Sequence, residues 1–100
     1  MKNIIVQKFG GTSVGSVERI LAVANIIKAA FKNEFPVVVV SAMGKETYRL
    51  VMLAKGISKN PEKRELDALL STGEKVSASL LAKQLNKMGI KYKSFSKAQI

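Results

Sequence analysis

The residues best equipped for chemistry gather at one turn. Lys8-Phe9-Gly10-Gly11-Thr12-Ser13-Val14 follows an apolar run, residues 3–7, and leads into a helical pattern. A strand that ends in glycines and opens a helix offers an oxyanion backbone N–H groups and a partial positive charge. Lys8 adds a full charge at the same place. The chemistry this implies is phosphate binding. Neither standard nucleotide fingerprint is present. A P-loop carries its lysine after the second glycine, whereas Lys8 precedes Gly10, and the glycines at 10, 11 and 15 do not fit G-x-G-x-x-G. A tight turn, with Ser13 or Ser16 capping the next helix, accounts for the same residues. On spacing alone both readings stand.

Other segments carry candidate groups. Ser41-Ala42-Met43-Gly44 follows a second apolar run. In a parallel sheet the C-terminal strand ends line one edge, where ligands bind, so Lys8, Gly10, Gly11 and Ser41 would converge there. Alternatively, Ser41 ends a strand and Gly44 makes a turn. Thr47 is either a substrate contact or a helix cap. Ser71-Thr72-Gly73-Glu74 has the spacing of a capping box, serine followed three residues on by glutamate. The competing reading makes Glu74 a carboxylate that receives a substrate ammonium.

These groups need a scaffold, and the hydropathy pattern supplies one. Strands are predicted at residues 3–8, 36–41 and 91–95. The run Pro36 to Val40 is continuously apolar and β-branched, as suits a parallel strand buried on both faces. Helices are predicted over 14–33, 46–57, 61–70 and 74–88. Asn60-Pro61 opens the third of these, and Gly89 stops the fourth. Their predicted inner faces are Val14, Val17, Ile20, Leu21, Ala24, Ile27 and Phe31; then Leu50, Val51, Leu53, Ala54 and Ile57; then Val76, Leu80, Leu81, Leu85 and Met88. Strands alternating with helices imply crossover connections. The fold class is therefore α/β, a three-strand parallel sheet with packed helices.

Composition narrows the function. The 100 residues suit one small domain, 47% apolar and 24% charged, a globular balance. There is no cysteine and no histidine, so thiolate nucleophiles, imidazole bases and most zinc or copper sites are excluded; no metal site is expected. The apolar run near the N-terminus is too short for a signal core or a membrane span, and a cytoplasmic setting is the default. The net charge of +10 raises nucleic acid as a partner. The lysines are spread along the chain, however, without an aromatic recognition motif, which implies weak polyanion attraction at low salt and not specific binding.

Taken together in order, Lys8 to Val14, Val38-Val39-Val40-Ser41-Ala42-Met43-Gly44, and Leu70-Ser71-Thr72-Gly73-Glu74-Lys75-Val76-Ser77-Ala78 resemble the N-terminal part of the aspartate kinases, within the amino acid kinase family. Leu80-Leu81-Ala82 and Gly89 fit as well. The resemblance implies a partial three-layer, Rossmann-like kinase domain and a cytoplasmic enzyme of amino-acid biosynthesis. It would use ATP with Mg2+ to phosphorylate L-aspartate, with no cofactor tightly held by this fragment. Lys8 would contact the transferring phosphate as the catalytic residue. Gly10, Gly11, Thr12 and Ser13 would bind phosphate, while Ser41, Thr47 and Glu74 would bind substrate, Glu74 taking the aspartate ammonium. Phosphoryl transfer needs positioning and charge neutralisation more than a protein base, so the lack of histidine is no obstacle.

The chain departs from the family at Leu21, Tyr48, Tyr92 and Lys97. The family usually has lysine, aspartate or asparagine, a small residue, and glycine there, respectively. It also extends beyond Ile100, where the resemblance places the adenosine-binding half. The expectation is a fragment without turnover. Either truncation and editing have made a self-associating module, with tyrosines suited to an interface, or the differences are natural drift.

Overall fold

The structure, a computed structural model, describes residues 2–95. The order is β1 (Asn3–Phe9), α1 (Val17–Phe31), β2 (Glu34–Val40), α2 (Glu46–Ile57) and α3 (Lys63–Lys87). The strands pair in parallel, Asn3 opposite Glu34 through Phe9 opposite Val40. Among the described residues the sheet has two strands, not the expected three. Residues 91–95 lie along the protein without joining it. Their backbone is diverted: the Tyr92 N–H donates to Asn86 Oδ1 at 2.9 Å, and the Tyr92 hydroxyl donates to the Pro36 carbonyl at 2.9 Å.

Side chains alternate across a strand, so each strand has two faces. Phe9, Val38 and Val40 pack onto a core built by α1 and α3. Ile4, Val6, Phe35, Val37 and Val39, on the opposite face, are exposed. The Val37–Val40 run is thus covered on one face only, and the layers among the described residues number two, sheet and helices.

On α1, Ile20, Val23, Ala24 and Ile27 are buried, the i, i+3, i+4, i+7 stripe that a core demands. Ser16 caps it, its Oγ accepting from the Arg19 N–H at 3.1 Å. Val17 and Leu21, expected inside, are exposed. The helix begins only at Val17, and both lie beside the buried stripe, not on it. On α2, Leu50 alone is fully buried, while Leu53 and Ile57 are exposed, because α2 meets the rest of the molecule mainly through α3.

The two predicted helices at 61–70 and 74–88 are one continuous α3. No capping box forms at Ser71. Its hydroxyl turns back to the Asp67 carbonyl at 2.8 Å, and that of Thr72 to Leu69 at 2.7 Å, so both are satisfied inside the helix. Glu62, not Asn60, precedes the first turn, in extended conformation and without a side-chain cap. Gly73, Ser77, Leu81 and Leu85 form the buried stripe, and Val76 and Leu80 fall outside it, exposed. The helix ends as predicted at Gly89, whose φ of +88° favours glycine. Its N–H reaches Asn86 O at 3.0 Å and that of Ile90 reaches Leu85 O at 2.9 Å, a Schellman motif that buries Ile90 beside Leu85 in the core.

Candidate functional site

Parallel strands bring their C-terminal ends to one edge, and the Ser41 N–H donates to the Phe9 carbonyl there at 3.0 Å. Beyond that bond both chains turn into loops. In the first loop, the N–H groups of Ser13 and Val14 share the Gly10 carbonyl at 3.0 and 3.3 Å, and Gly15 N–H reaches Thr12 O at 3.3 Å. In the second, Gly44 takes a φ of +53°, and Glu46 N–H closes onto Met43 O at 2.9 Å.

The loops are joined backbone to backbone. Gly44 N–H donates to the Gly11 carbonyl at 2.9 Å. A Cβ at Gly11 would stand 2.9 Å from Gly44 O and 3.0 Å from Ala42 O, so no side chain fits between them. Fastening the Gly11 carbonyl to the second loop fixes the neighbouring peptides. The consecutive N–H groups of Gly10, Gly11 and Thr12 have no hydrogen-bond acceptor among the described residues. They are the donor set that an oxyanion would use.

The sequence-predicted residues are placed as follows. Lys8 is exposed near the end of β1, on the open face of the sheet. Gly10 and Thr12 are exposed, and Gly11 and Ser13 are half-buried. Ser41 is exposed at the end of β2. These residues occupy one edge, together with Gly44. Glu74 is half-buried on α3 and lines a groove of about 630 Å³ with Ser71, Lys75 and the end of β2. It connects to the loops through its neighbour Gly73, which packs on Ala42. Thr47 stands apart, exposed in the first turn of α2, and its hydroxyl makes no hydrogen bond among the described residues. Lys45 holds the capping position before α2, without a side-chain bond, so Thr47 is no cap. Tyr48 is exposed and Lys97 lies outside the described residues.

Sequence reasoning passed over two features. One is the Glu46–Arg49 pair in the first turn of α2, with Arg49 Nε 3.0 and 3.1 Å from the carboxylate oxygens. Hydrogen bonding to Arg49 holds the Glu46 carboxyl below the usual carboxylate range, a preference confined to the exposed surface. Its signal was the i, i+3 spacing of opposite charges. The other is Gly73. A glycine inside a helix costs about 1 kcal/mol relative to alanine. Here the absent side chain is what lets Ala42 approach, and a glycine inside a helical pattern was its signal.

The motifs and the fold have counterparts in known proteins. The model of the amino acid kinase family matches residues 3–100. An aspartokinase of Geobacillus stearothermophilus is 64% identical over 89 residues, which are 88% of this chain and 22% of that protein. Aspartokinase 2 of Bacillus subtilis (strain 168) is 60% identical over 87 residues, 86% of this chain and 21% of the relative. The crystal structure of aspartate kinase from Synechocystis superposes with a TM-score of 0.82 at 60% identity, over 85% of this chain and 15% of that one. The chain thus spans less than a quarter of the length of these relatives. With the family match running from the first strand to the last residue, and the solved relative sharing its fold, the chain belongs to the amino acid kinase family.

Proposed function

We propose that residues 1–100 form a single α/β unit, the N-terminal part of an aspartate kinase domain, and supply its phosphate- and aspartate-binding wall. In the reaction, a side-chain carboxylate oxygen of L-aspartate bonds to the γ-phosphorus of ATP as the bond to the ADP oxygen breaks, giving 4-phospho-L-aspartate. The carboxylate is ionised at neutral pH and needs no base. What carries the reading is the row of unengaged N–H groups at Gly10, Gly11 and Thr12, set by the Gly44–Gly11 bond. They would hold phosphoryl oxygens, with Ser13 beside them. Lys8 neutralises the charge that develops during transfer. Ser41 and Thr47 contact the substrate, and Glu74 receives its ammonium group. Mg2+ belongs to the nucleotide in this reading. Among the described residues no group of three His, Cys, Asp or Glu stands close enough to hold it. A cytoplasmic setting is part of this reading, as the kinship to aspartokinases suggests. Among the described residues, no helix is long and apolar enough to cross a membrane.

On their own, these residues would bind phosphate without turnover. Titration with tripolyphosphate is expected to shift the amide resonances of Gly10, Gly11 and Thr12, with affinity falling about tenfold in Lys8→Ala, the loss of one charge-assisted contact. ADP production from ATP and aspartate should not exceed that of the Lys8→Ala control. Absence of any amide shift would remove the phosphate assignment.

The open sheet face favours a second reading, a self-associating α/β module without catalysis. Ile4 and Val6 are 70% and 60% exposed on one face with Phe35, Val37 and Val39. A contiguous apolar patch of this kind is the mark of an interaction surface. Light scattering that shows a clean monomer at high concentration would count against it.

A further inference from the structure

We infer that Gly73 is a positioning residue for the phosphate loop, acting from α3 through Ala42 and Gly44; this rests on the phosphate-binding reading above. The inference follows from a chain of contacts that leaves no space. A Cβ at Gly73 would lie 2.9 Å from Ala42 Cβ, 3.3 Å from Leu50 Cδ1 and 3.4 Å from Glu46 Cγ. Real Cβ atoms do not approach that closely, so the second loop sits where it does because residue 73 has no side chain. Ala42 is itself buried and cannot swing into solvent. Two residues on, Gly44 holds the Gly11 carbonyl. On the far side Gly11 has no room for a Cβ against Ala42 O and Gly44 O. From α3 to the first loop, backbone and small residues therefore stack directly on one another.

Such a stack transmits displacement because a close-packed interior does not compress. A methyl group at residue 73 would meet Ala42 Cβ with Leu50 Cδ1 and Glu46 Cγ closing in beside it, so Ala42 must move away from α3. The bond most exposed to this push is Gly44 N–H to Gly11 O. Loss of that bond frees the Gly11 peptide and scatters the donor row. Glu74, the next residue on α3, shares the same anchor, so Gly73 also fixes the spacing between the ammonium-binding carboxylate and the phosphate donors.

The test compares Gly73→Ala, the double variant Gly73→Ala/Ala42→Gly and the parent chain by amide hydrogen exchange without ligand. Local opening, not global unfolding, is the quantity read, so exchange at Gly44 is expressed relative to Ile27 in the core. Gly73→Ala is expected to speed the Gly44 N–H relative to Ile27 by about tenfold, and Ala42→Gly in the same chain should return it to within about threefold of the parent. Unchanged relative exchange at Gly44 in a folded Gly73→Ala protein would overturn the inference. So would a failure of Ala42→Gly to restore it. If Gly73→Ala does not fold, Ala42→Gly alone decides. It empties the same contact, and relative exchange at Gly44 should rise about threefold; no rise overturns the inference. A parallel tripolyphosphate titration should show affinity reduced about tenfold in Gly73→Ala and recovered in the double variant. If the parent binds no tripolyphosphate, the phosphate reading fails on its own, while the exchange comparison still decides whether Gly73 positions the loop.

Discussion

The two faces of the sheet are nearly matched in composition and opposite in fate. One face presents Phe9, Val38 and Val40 to α1 and α3 and is covered; the other presents Ile4, Val6, Phe35, Val37 and Val39 to solvent. Hydrophobicity therefore marks which residues are suited to burial, and the placement of helices decides which are buried. The covered face and the turns at its end form a closed unit, from the Schellman end of α3 to the Gly11–Gly44 bond. The open face is only a surface of the right kind. Their difference in energy is the most direct check. Leu85→Ala, at a position 2% exposed, should lower stability by about 3 kcal/mol through lost burial and a residual cavity. Val37→Ala, 45% exposed on the open face, should change it by less than about 0.5 kcal/mol. Urea titration measures both, and comparable losses would mean that the open face is covered in solution.

A flaw in the covered face sharpens the contrast. Gln7 lies on that side of β1, opposite Val38, and its Oε1 is buried with no hydrogen-bond partner. A buried unsatisfied acceptor forfeits about 1–3 kcal/mol. Gln7→Leu removes the acceptor at similar volume, so stability should rise by about 1 kcal/mol in the same titration. A loss of stability would show that the amide is satisfied in solution and that this face is wetter than its packing implies.

How much of this was legible in the sequence depends on the range of the interaction. β1, α1, β2 and α2 follow from local pattern, and the Ser16 cap and the Gly89 stop follow from local chemistry. The glycine loops after β1 and β2 were legible as turns at the sheet's ligand-binding edge, because glycine and hydroxyl residues at strand ends suit a tight turn and an oxyanion site alike. The merged α3 was not legible. Ser71 and Thr72 satisfy their hydroxyls on Asp67 and Leu69 as readily as they could cap a helix, and sequence spacing cannot separate the two. The burial of Val37 and Val39 was misread because a continuous apolar run reports capacity for two neighbours, not their presence. The third strand failed for reasons outside its own residues, one nearby at the end of α3 and one distant on β2. Asn86 and Pro36 capture the backbone and hydroxyl of Tyr92, and neither partner is visible from residues 91–95. The close approach behind Gly73 is likewise a contact between α3 and the second loop.

A smaller loss than that of Leu85 is expected at the outer edge of β2, which belongs to neither face. Tyr92 meets it with its hydroxyl on the Pro36 carbonyl and its ring edge-on to Phe31, the centroids 6.3 Å apart. Only the neutral phenol can donate to a carbonyl, and partial burial raises the Tyr92 pKa above its ordinary value. A proton-bearing acid whose pKa is raised on folding stabilises the folded chain fully at pH values below the unfolded pKa. That contribution is lost as pH rises through the folded value. The bond is half-buried, so its worth lies at the lower end of the usual range, about 0.5–1 kcal/mol. Tyr92→Phe should therefore cost about that much near neutrality and progressively less above about pH 10, where the parent loses the same bond by ionisation. Every other side chain is common to both proteins, so the difference between the two urea midpoints, followed from pH 8 to pH 11, isolates the phenol. A difference that stays constant across that window would show that the ring contact with Phe31, and not the hydroxyl, holds the segment after α3 against the edge of β2.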